Sequence, residues 1–428
     1  YSGGTRINGG TLAVAADSAL GAVAGPLAFN GGALRLDAGF DLAASRAVTL
    51  DAGGGTVDTQ GFSSKITQSI GGSGGLTKAG AGTLVLTGAN GYTGGTTLAA
   101  GTLQLGDGGT SGSIQGNVLN NGTLAFDRAD ALQFTGAISG SGKVVQRGTG
   151  TVLLAAASSY AGGTDLKSGT LAVADSSALG TGTLRMDDGT TLAFATGGLN
   201  LANPVVLTGS NDPVVDTGAF DATLSGGITG AADLTKTGTG TLTLAAANND
   251  YSGATVVAAG TLRAGAAGAF SAASAHTVNA GATLDTGGFA QTVAALGNSG
   301  TVTIVGSAPG NTLTVNGPYV GSNGLLRMGT ALQGSNSVSD RLVLNGASAT
   351  ASGSSTIQIT NLGGLGAATT GNGIEVVSAQ NGATSTAQST RDAFVLAGGH
   401  VDAGAYEYRL YAADAAGAGE NWYLRTTT

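Results

Sequence analysis

Gly75-Leu76-Thr77-Lys78-Ala79-Gly80-Ala81-Gly82-Thr83-Leu84-Val85-Leu86-Thr87-Gly88 decides how the chain is read, because the sequence keeps returning to it. Tyr92-Thr93-Gly94-Gly95-Thr96 and Gly101-Thr102-Leu103 complete the sentence. It recurs from Lys143, with Tyr160-Ala161-Gly162-Gly163-Thr164 and Gly169-Thr170-Leu171. It recurs again from Leu234, with Tyr251-Ser252-Gly253-Ala254-Thr255 and Gly260-Thr261-Leu262. A fourth copy lacks its beginning, since the chain opens on Tyr1-Ser2-Gly3-Gly4-Thr5 and reaches Gly10-Thr11-Leu12. In every copy the tyrosine precedes the Gly-Thr threonine by ten positions: 1 to 11, 92 to 102, 160 to 170 and 251 to 261. Such fixed self-similarity marks a repeat architecture.

Between the long copies the Gly-Thr signal continues at a shorter interval, for example Gly55-Thr56, Gly122-Thr123, Gly189-Thr190 and Gly300-Thr301. A step of about 21 residues is enough for one coil of three short strands and three turns, the unit of a parallel β-helix. Apolar residues alternate with polar ones in Thr83-Leu84-Val85-Leu86 and Thr301-Val302-Thr303-Ile304, the period of a half-buried strand. Recurrent glycine opposes helix, costing about 0.5–1 kcal/mol per interior position relative to alanine. Only the Ala-rich segments Asp17-Ser18-Ala19-Leu20 and Asp175-Ser176-Ser177-Ala178-Leu179 could form a helical turn.

Glycine fills 79 of 428 positions, yet hydrophobic residues make up 41% and charged residues 10%, the reverse of a disordered chain. The absence of cysteine excludes disulfides and thiolate metal sites. A net charge of −8 without a basic run argues against nucleic acid as a partner. No apolar run is long enough to cross a membrane as a helix. No signal peptide is visible and the chain opens inside a repeat, so a fragment missing both natural ends is expected.

From about 300 the language changes. Gly310-Asn311-Thr312-Leu313-Thr314-Val315, Asp340-Arg341-Leu342-Val343 and Asn421-Trp422-Tyr423-Leu424 depart from the repeat, and four of the nine tyrosines and the single tryptophan fall between 406 and 423. The last coil of a solenoid exposes a strand edge that must be covered, so residues 300–428 read as a cap on a stem formed by residues 1–299.

The Lys-x-Gly-x-Gly-Thr-Leu-x-Leu, Tyr-x-Gly-Gly-Thr and Gly-Thr-Leu sentence resembles the passenger-associated transport repeat of autotransporters, the type V secretion family. The segment from 300 resembles the autochaperone region of pertactin-like passengers. The resemblance implies an all-β, right-handed parallel β-helix (solenoid) with a C-terminal capping region. It implies export through the periplasm and outer membrane of a Gram-negative bacterium to the cell surface, with a C-terminal β-barrel and the outer-membrane assembly machinery as partners. It further implies that the C-terminal coils fold first and template the rest. Asp340, Leu342, Trp422 and Tyr423 are the residues expected to carry this capping and folding role, with Trp422 and Tyr423 in the core or at the barrel junction. No Arg-Gly-Asp tripeptide is present, so integrin binding gains no support.

Catalytic patterns are weak. Gly71-Gly72-Ser73-Gly74-Gly75 matches a nucleophile elbow, but that motif needs a strand–turn–helix and a histidine base, and His276 lies about 200 residues on. A glycine-rich coil corner is expected there. Gly140-Ser141-Gly142-Lys143 lacks the remaining phosphate-loop residues, having Ala137 and Val144 where glycine and serine or threonine belong. Asp187 and Asp188, or Asp212, Asp216 and Asp221, could hold a cation weakly, although solvated turn acids are the commoner use. Lys78 and Lys236 share a phase with Gln146, an exchange that a coil exterior tolerates and an enzyme site does not. Tyr1, Tyr92, Tyr160 and Tyr251 are open to two uses: an exposed aromatic row for ligand stacking, or packing at a coil corner.

No catalytic, cofactor or metal site is therefore expected, and the binding residues are left open. The expected function is that of a non-enzymatic interaction protein that adheres to host cells or matrix or binds a host defence protein, with a host surface, matrix or serum protein as partner. The alternative is a non-catalytic stalk for an upstream protease or esterase domain. Exposed strand ladders add self-association as a further expectation.

Overall fold

The computed structural model describes residues 1–427. Among these the chain is all-β, built mostly of strands of three or four residues. The single helical element is a 3-10 turn at Asp17–Leu20, while 175–179 forms turns only. Two compact units divide the chain, Tyr1–Val206 and Leu207–Thr428. Each is a parallel β-solenoid, as the repeat spacing predicts.

In the first unit successive Gly-Thr strands stack in register. Thr83 lies beside Thr102 and that beside Thr123, so Leu84, Leu103 and Leu124 form one interior column. All three leucines have 0% exposure. Burying such a side chain contributes roughly 1.5–3 kcal/mol, which offsets the loss of backbone freedom that so much glycine brings. The strand at Leu76–Ala79 belongs to a seven-stranded sheet, whereas Lys143–Gln146 belongs to a different, nine-stranded one. Two copies of the same repeat thus lie on different walls of the coil.

The glycine of each Gly-Thr-Leu step has a specific task. Gly101, Gly169 and Gly260 adopt φ of 70°, 64° and 62°, and a Cβ on any of them would meet carbonyl oxygens of the preceding coil at 2.3–2.5 Å. Both the left-handed backbone and the close approach exclude a side chain.

The second unit has a ladder of the same kind. Leu242 lies beside Leu262 and Leu262 beside Leu284, with Leu284 in turn beside Val302. Two strands then lengthen, Tyr319–Thr330 and Ala351–Asn361, and one corner becomes a bulge between Ser322 and Gly324. The ladder through Gln291–Val293, Thr312–Val315, Arg341–Asn345 and Ile374–Gln380 is parallel. At its end the direction reverses, because Trp422–Thr426, Tyr406–Ala412 and Val401–Ala403 add on antiparallel. This meander ends the parallel stack.

Candidate functional site

Lys78 and Lys236 are not on the coil exterior, where their exchange with glutamine placed them in the sequence reading. They and Gln146 have 0% exposure. Each falls two residues after a buried Leu76, Leu234 or Val144, so strand alternation turns it inward. Lys78 donates to the carbonyls of Ala79 (2.8 Å), Gly80 (2.7 Å) and Ala100 (3.1 Å). Lys236 repeats the pattern with Thr237 (2.6 Å), Gly238 (2.9 Å) and Ala259 (3.2 Å). Burial lowers both ammonium pKa values to about 8, opposed by Asp58 for Lys78 and by Asp216 and Asp221 for Lys236.

The repeat tyrosines pack at corners. Tyr92, Tyr160 and Tyr251 have 0% exposure, and only Tyr1, at 72%, is open. Each hydroxyl meets a threonine four residues on, Tyr92 with Thr96, Tyr160 with Thr164 and Tyr251 with Thr255, at 2.6–2.8 Å. No stacking row for a ligand exists among the buried three.

A second internal motif emerges at 58–62, 216–220 and 285–289. Asp58-Thr59-Gln60-Gly61-Phe62, Asp216-Thr217-Gly218-Ala219-Phe220 and Asp285-Thr286-Gly287-Gly288-Phe289 form the same turn. In each the aspartate accepts the N–H two residues on, and the phenylalanine N–H returns to the threonine carbonyl. The phenylalanines stay 39–40% exposed. Their sequence identity was visible, but irregular spacing hid it.

Longer loops are clasped from the following coil. Arg46, fully buried, holds the 17–25 segment through both carboxylate oxygens of Asp17 (3.0 and 2.9 Å) and the carbonyls of Leu20 and Gly25 (3.2 and 2.7 Å). Arg46's hydrogen bond holds the Asp17 carboxyl below its usual range. Arg128 does the same for 106–112 through the carbonyls of Gly112 (3.1 Å) and Thr110 (2.8 Å). Asn203 grips Leu179, Gly180 and Gly182 by their carbonyls at 2.7–3.3 Å.

The four cap residues come together in one region. Leu342 and Trp422 are both ladder neighbours of Val377, one on the parallel side and one on the antiparallel side. Trp422 donates its indole N–H to the Ser385 hydroxyl at 2.8 Å and meets the Phe394 ring edge-on at 5.3 Å. Tyr423, 8% exposed, lies under the Arg425 guanidinium, 5.4 Å from its ring centre. Asp340 is fully buried. Its Oδ1 accepts the N–H groups of Gly310 (2.9 Å) and Asn311 (2.8 Å) and the Asn311 amide (2.9 Å); its Oδ2 accepts Gly329 N–H (2.7 Å). Burial raises the carboxyl pKa, while these donors pull it down. One carboxylate thereby ties two separate segments, 310–311 and 329, to its own strand end.

The titratable groups sought for chemistry lie apart. His276 is buried against Phe270, its Nδ1 3.0 Å from the Ser274 carbonyl. Ser73 belongs to the first unit and His276 to the second. Asp216 and Asp221 spend their carboxylates on turn N–H groups of Gly218 and Thr241. Among the described residues the group with metal-ligating spacing is His400, Asp402 and Glu407 on the cap hairpin, where Arg409 already takes Glu407.

A repeat-built parallel solenoid closed by an antiparallel cap is the class this geometry defines. Residues 291–410 match the family described as Autochaperone Domain Type 1, and residues 1–14, 76–105, 144–173 and 234–264 match the Passenger-associated-transport-repeat. The chain thus carries an autochaperone domain and passenger-associated transport repeats and has autotransporter homologues, as the repeat sentence and the cap residues had suggested. It is 36% identical over 205 residues to the Adhesin BmaC autotransporter of Brucella suis, covering 46% of this chain and 6% of that protein. It is 40% identical over 129 residues to the Probable autotransporter YfaL of Escherichia coli, covering 30% of this chain and 9% of that protein. The chain therefore spans a small fraction of the length of the curated relatives it matches. Among solved structures, the Haemophilus influenzae Hap adhesin aligns with 99% of this chain and 55% of its own at 16% identity and a TM-score of 0.38, too loose to carry a functional argument.

Proposed function

We propose that the chain is a surface-displayed or secreted interaction module of a Gram-negative bacterium. It adheres to host cells or matrix, or binds a host defence protein, and is not an enzyme. Its similarity to a protein named as an adhesin carries this reading. The exposed turns of the two units, Phe62, Phe220 and Phe289 among them, supply apolar surface for contact. The cap built on Asp340, Leu342, Trp422 and Tyr423 seeds folding during outer-membrane secretion, with the protein's own β-barrel and the outer-membrane assembly machinery as partners.

The test is display of residues 1–428 on Escherichia coli through a heterologous translocator barrel. Adherence is then scored on immobilised matrix proteins, serum proteins and epithelial cells, against the barrel alone. Adherence that falls when the exposed turns are exchanged for glycine-serine supports the reading. Full display with adherence equal to the barrel alone overturns it and favours a passive stalk.

A further inference from the structure

The strand Phe394–Leu396 is the last of its sheet and pairs on one side only, with Ser355–Ile357. On that side Ser355 N–H donates to the Ala393 carbonyl (2.9 Å) and Ala397 N–H to the Ile357 carbonyl (2.8 Å). Backbone groups of successive residues point to opposite sides of a strand, so those of Phe394 and Leu396 face away from the ladder. Gly399 N–H takes the Leu396 carbonyl at 3.0 Å. The two outward N–H groups and the Phe394 carbonyl have no partner among the described residues.

This open edge borders a groove of about 420 Å³. Its other side is formed by Leu410, Tyr411 and Ala412, which pair with Trp422–Leu424 but extend past the hairpin strand Val401–Ala403, whose ladder stops at Tyr408. Phe394, Leu396 and Trp422 line the groove and are nearly buried, while Val395 and Tyr411, 48% and 36% exposed, open it to solvent. Arg391 is the one charged residue of the lining. It is exposed and makes no ion pair, although in the same cap Arg341 takes Glu375 and Arg409 takes Glu407. Its neighbour Asp392 accepts the Thr390 hydroxyl. Apolar walls joined by a few polar groups that fix orientation are the make-up of a ligand groove.

We propose that this groove docks the C-terminal end of a partner polypeptide. The partner adds as a short extended strand along Phe394–Leu396, sets apolar side chains against Leu410 and Trp422, and gives its terminal carboxylate to Arg391. Free backbone donors and an acceptor in a row call for another backbone, as in strand addition to a sheet edge. The edge is only three residues long and the unpaired cation stands just before it, which suits a chain that ends there rather than one that passes through. The site is separate from the exposed turns credited with adherence, so either reading can fail alone.

The experiment pans the full chain against a displayed library of random peptides with free C-termini. Selected peptides are then synthesised with a terminal carboxylate and with a terminal amide. Trp422, the single tryptophan, reports binding from the groove itself through its emission. The expected ligands carry apolar residues in their last positions, and their amide forms bind roughly tenfold or more weakly, because a charge-assisted hydrogen bond is lost. Val395→Glu, which sets a carboxylate beside the edge, abolishes binding. In Arg391→Asn, acid and amide bind alike; asparagine tolerates the left-handed backbone of that position, where φ is 52°. Should either variant fail to fold, the comparison of acid and amide on the wild type decides. Selection of no peptide, or equal binding of acid and amide to the wild type, overturns the proposal. So does an emission change produced only by decanoate, which assigns the groove to a lipid chain, or only by concentrating the protein, which assigns it to a second copy.

Discussion

The Lys78 ammonium lies 3.1 Å from the carbonyl oxygen of Ala100, a residue one coil further along the chain. With its two bonds to its own turn, this side chain ties consecutive coils from inside the core. Replacing Lys78 with methionine takes the ammonium from the Gly80 and Ala100 carbonyls, while that of Ala79 keeps Thr59, and should cost about 1–3 kcal/mol in denaturant unfolding. Lys78→Gln, the solution used at position 146, should cost distinctly less. Equal losses would show that the carbonyl contacts contribute nothing.

The same lysines give a pH signature. In the unfolded chain they titrate near 10.5 and in the fold near about 8. Between those values the unfolded state holds the extra protons, so stability rises with pH. Relative to a Lys78→Gln, Lys236→Gln double variant, the wild type should gain stability from pH 8 to 10.5. Parallel stability curves for the two proteins would contradict a desolvated ammonium.

His276 acts at the acid end. Burial lowers its pKa from 6.5 to about 4, with only the Ser274 carbonyl opposing. The stabilisation of the neutral ring is complete above pH 6.5 and is lost as pH falls through 4, because the unfolded state takes up the proton first. His276→Leu should remove that part of the acid slope, read from urea midpoints at pH 7, 5.5 and 4.5. An unchanged slope would place the acid sensitivity elsewhere.

Asp340 offers four N–H donors a carboxylate. Asp340→Asn turns an amide N–H₂ against at least one of them, most simply Gly329 N–H, and should destabilise the cap by about 1–3 kcal/mol. Trp422→Ala removes the ring against Phe394 and should cost about 3–5 kcal/mol. If the cap seeds folding, either change lowers surface display more than Leu34→Ala, an equally buried position near the other end. Equal display losses would remove the C-terminal seed.

Much of this was legible. Gly-Thr-Leu followed by Tyr and Gly-Thr writes strand, corner and strand in local terms, since a left-handed corner needs glycine and a stacked strand needs alternation. The inward lysines were also written, in their two-residue offset from Leu76 and Leu234, but a charged residue invites an exterior reading that the alternation contradicts. Arg46 could not be read as a clasp, because the carbonyls it holds lie 21 and 26 residues away and become convergent only once coils stack. The role of Asp340 was hidden for the same reason, its donors coming from positions 310, 311 and 329. The reversal of strand direction after Ile374–Gln380 left no local mark, since an antiparallel strand and a parallel one alternate alike.

The clasps set the terms on which this scaffold can be rewritten. The 17–25 excursion is held by Arg46 and the 106–112 excursion by Arg128, each side chain standing on the next coil. A surface loop here is therefore not a self-contained cassette. The heritable unit is the loop together with one side chain about a coil downstream. Grafts that carry both should keep their shape in a new host solenoid, while grafts of the loop alone arrive without their lock.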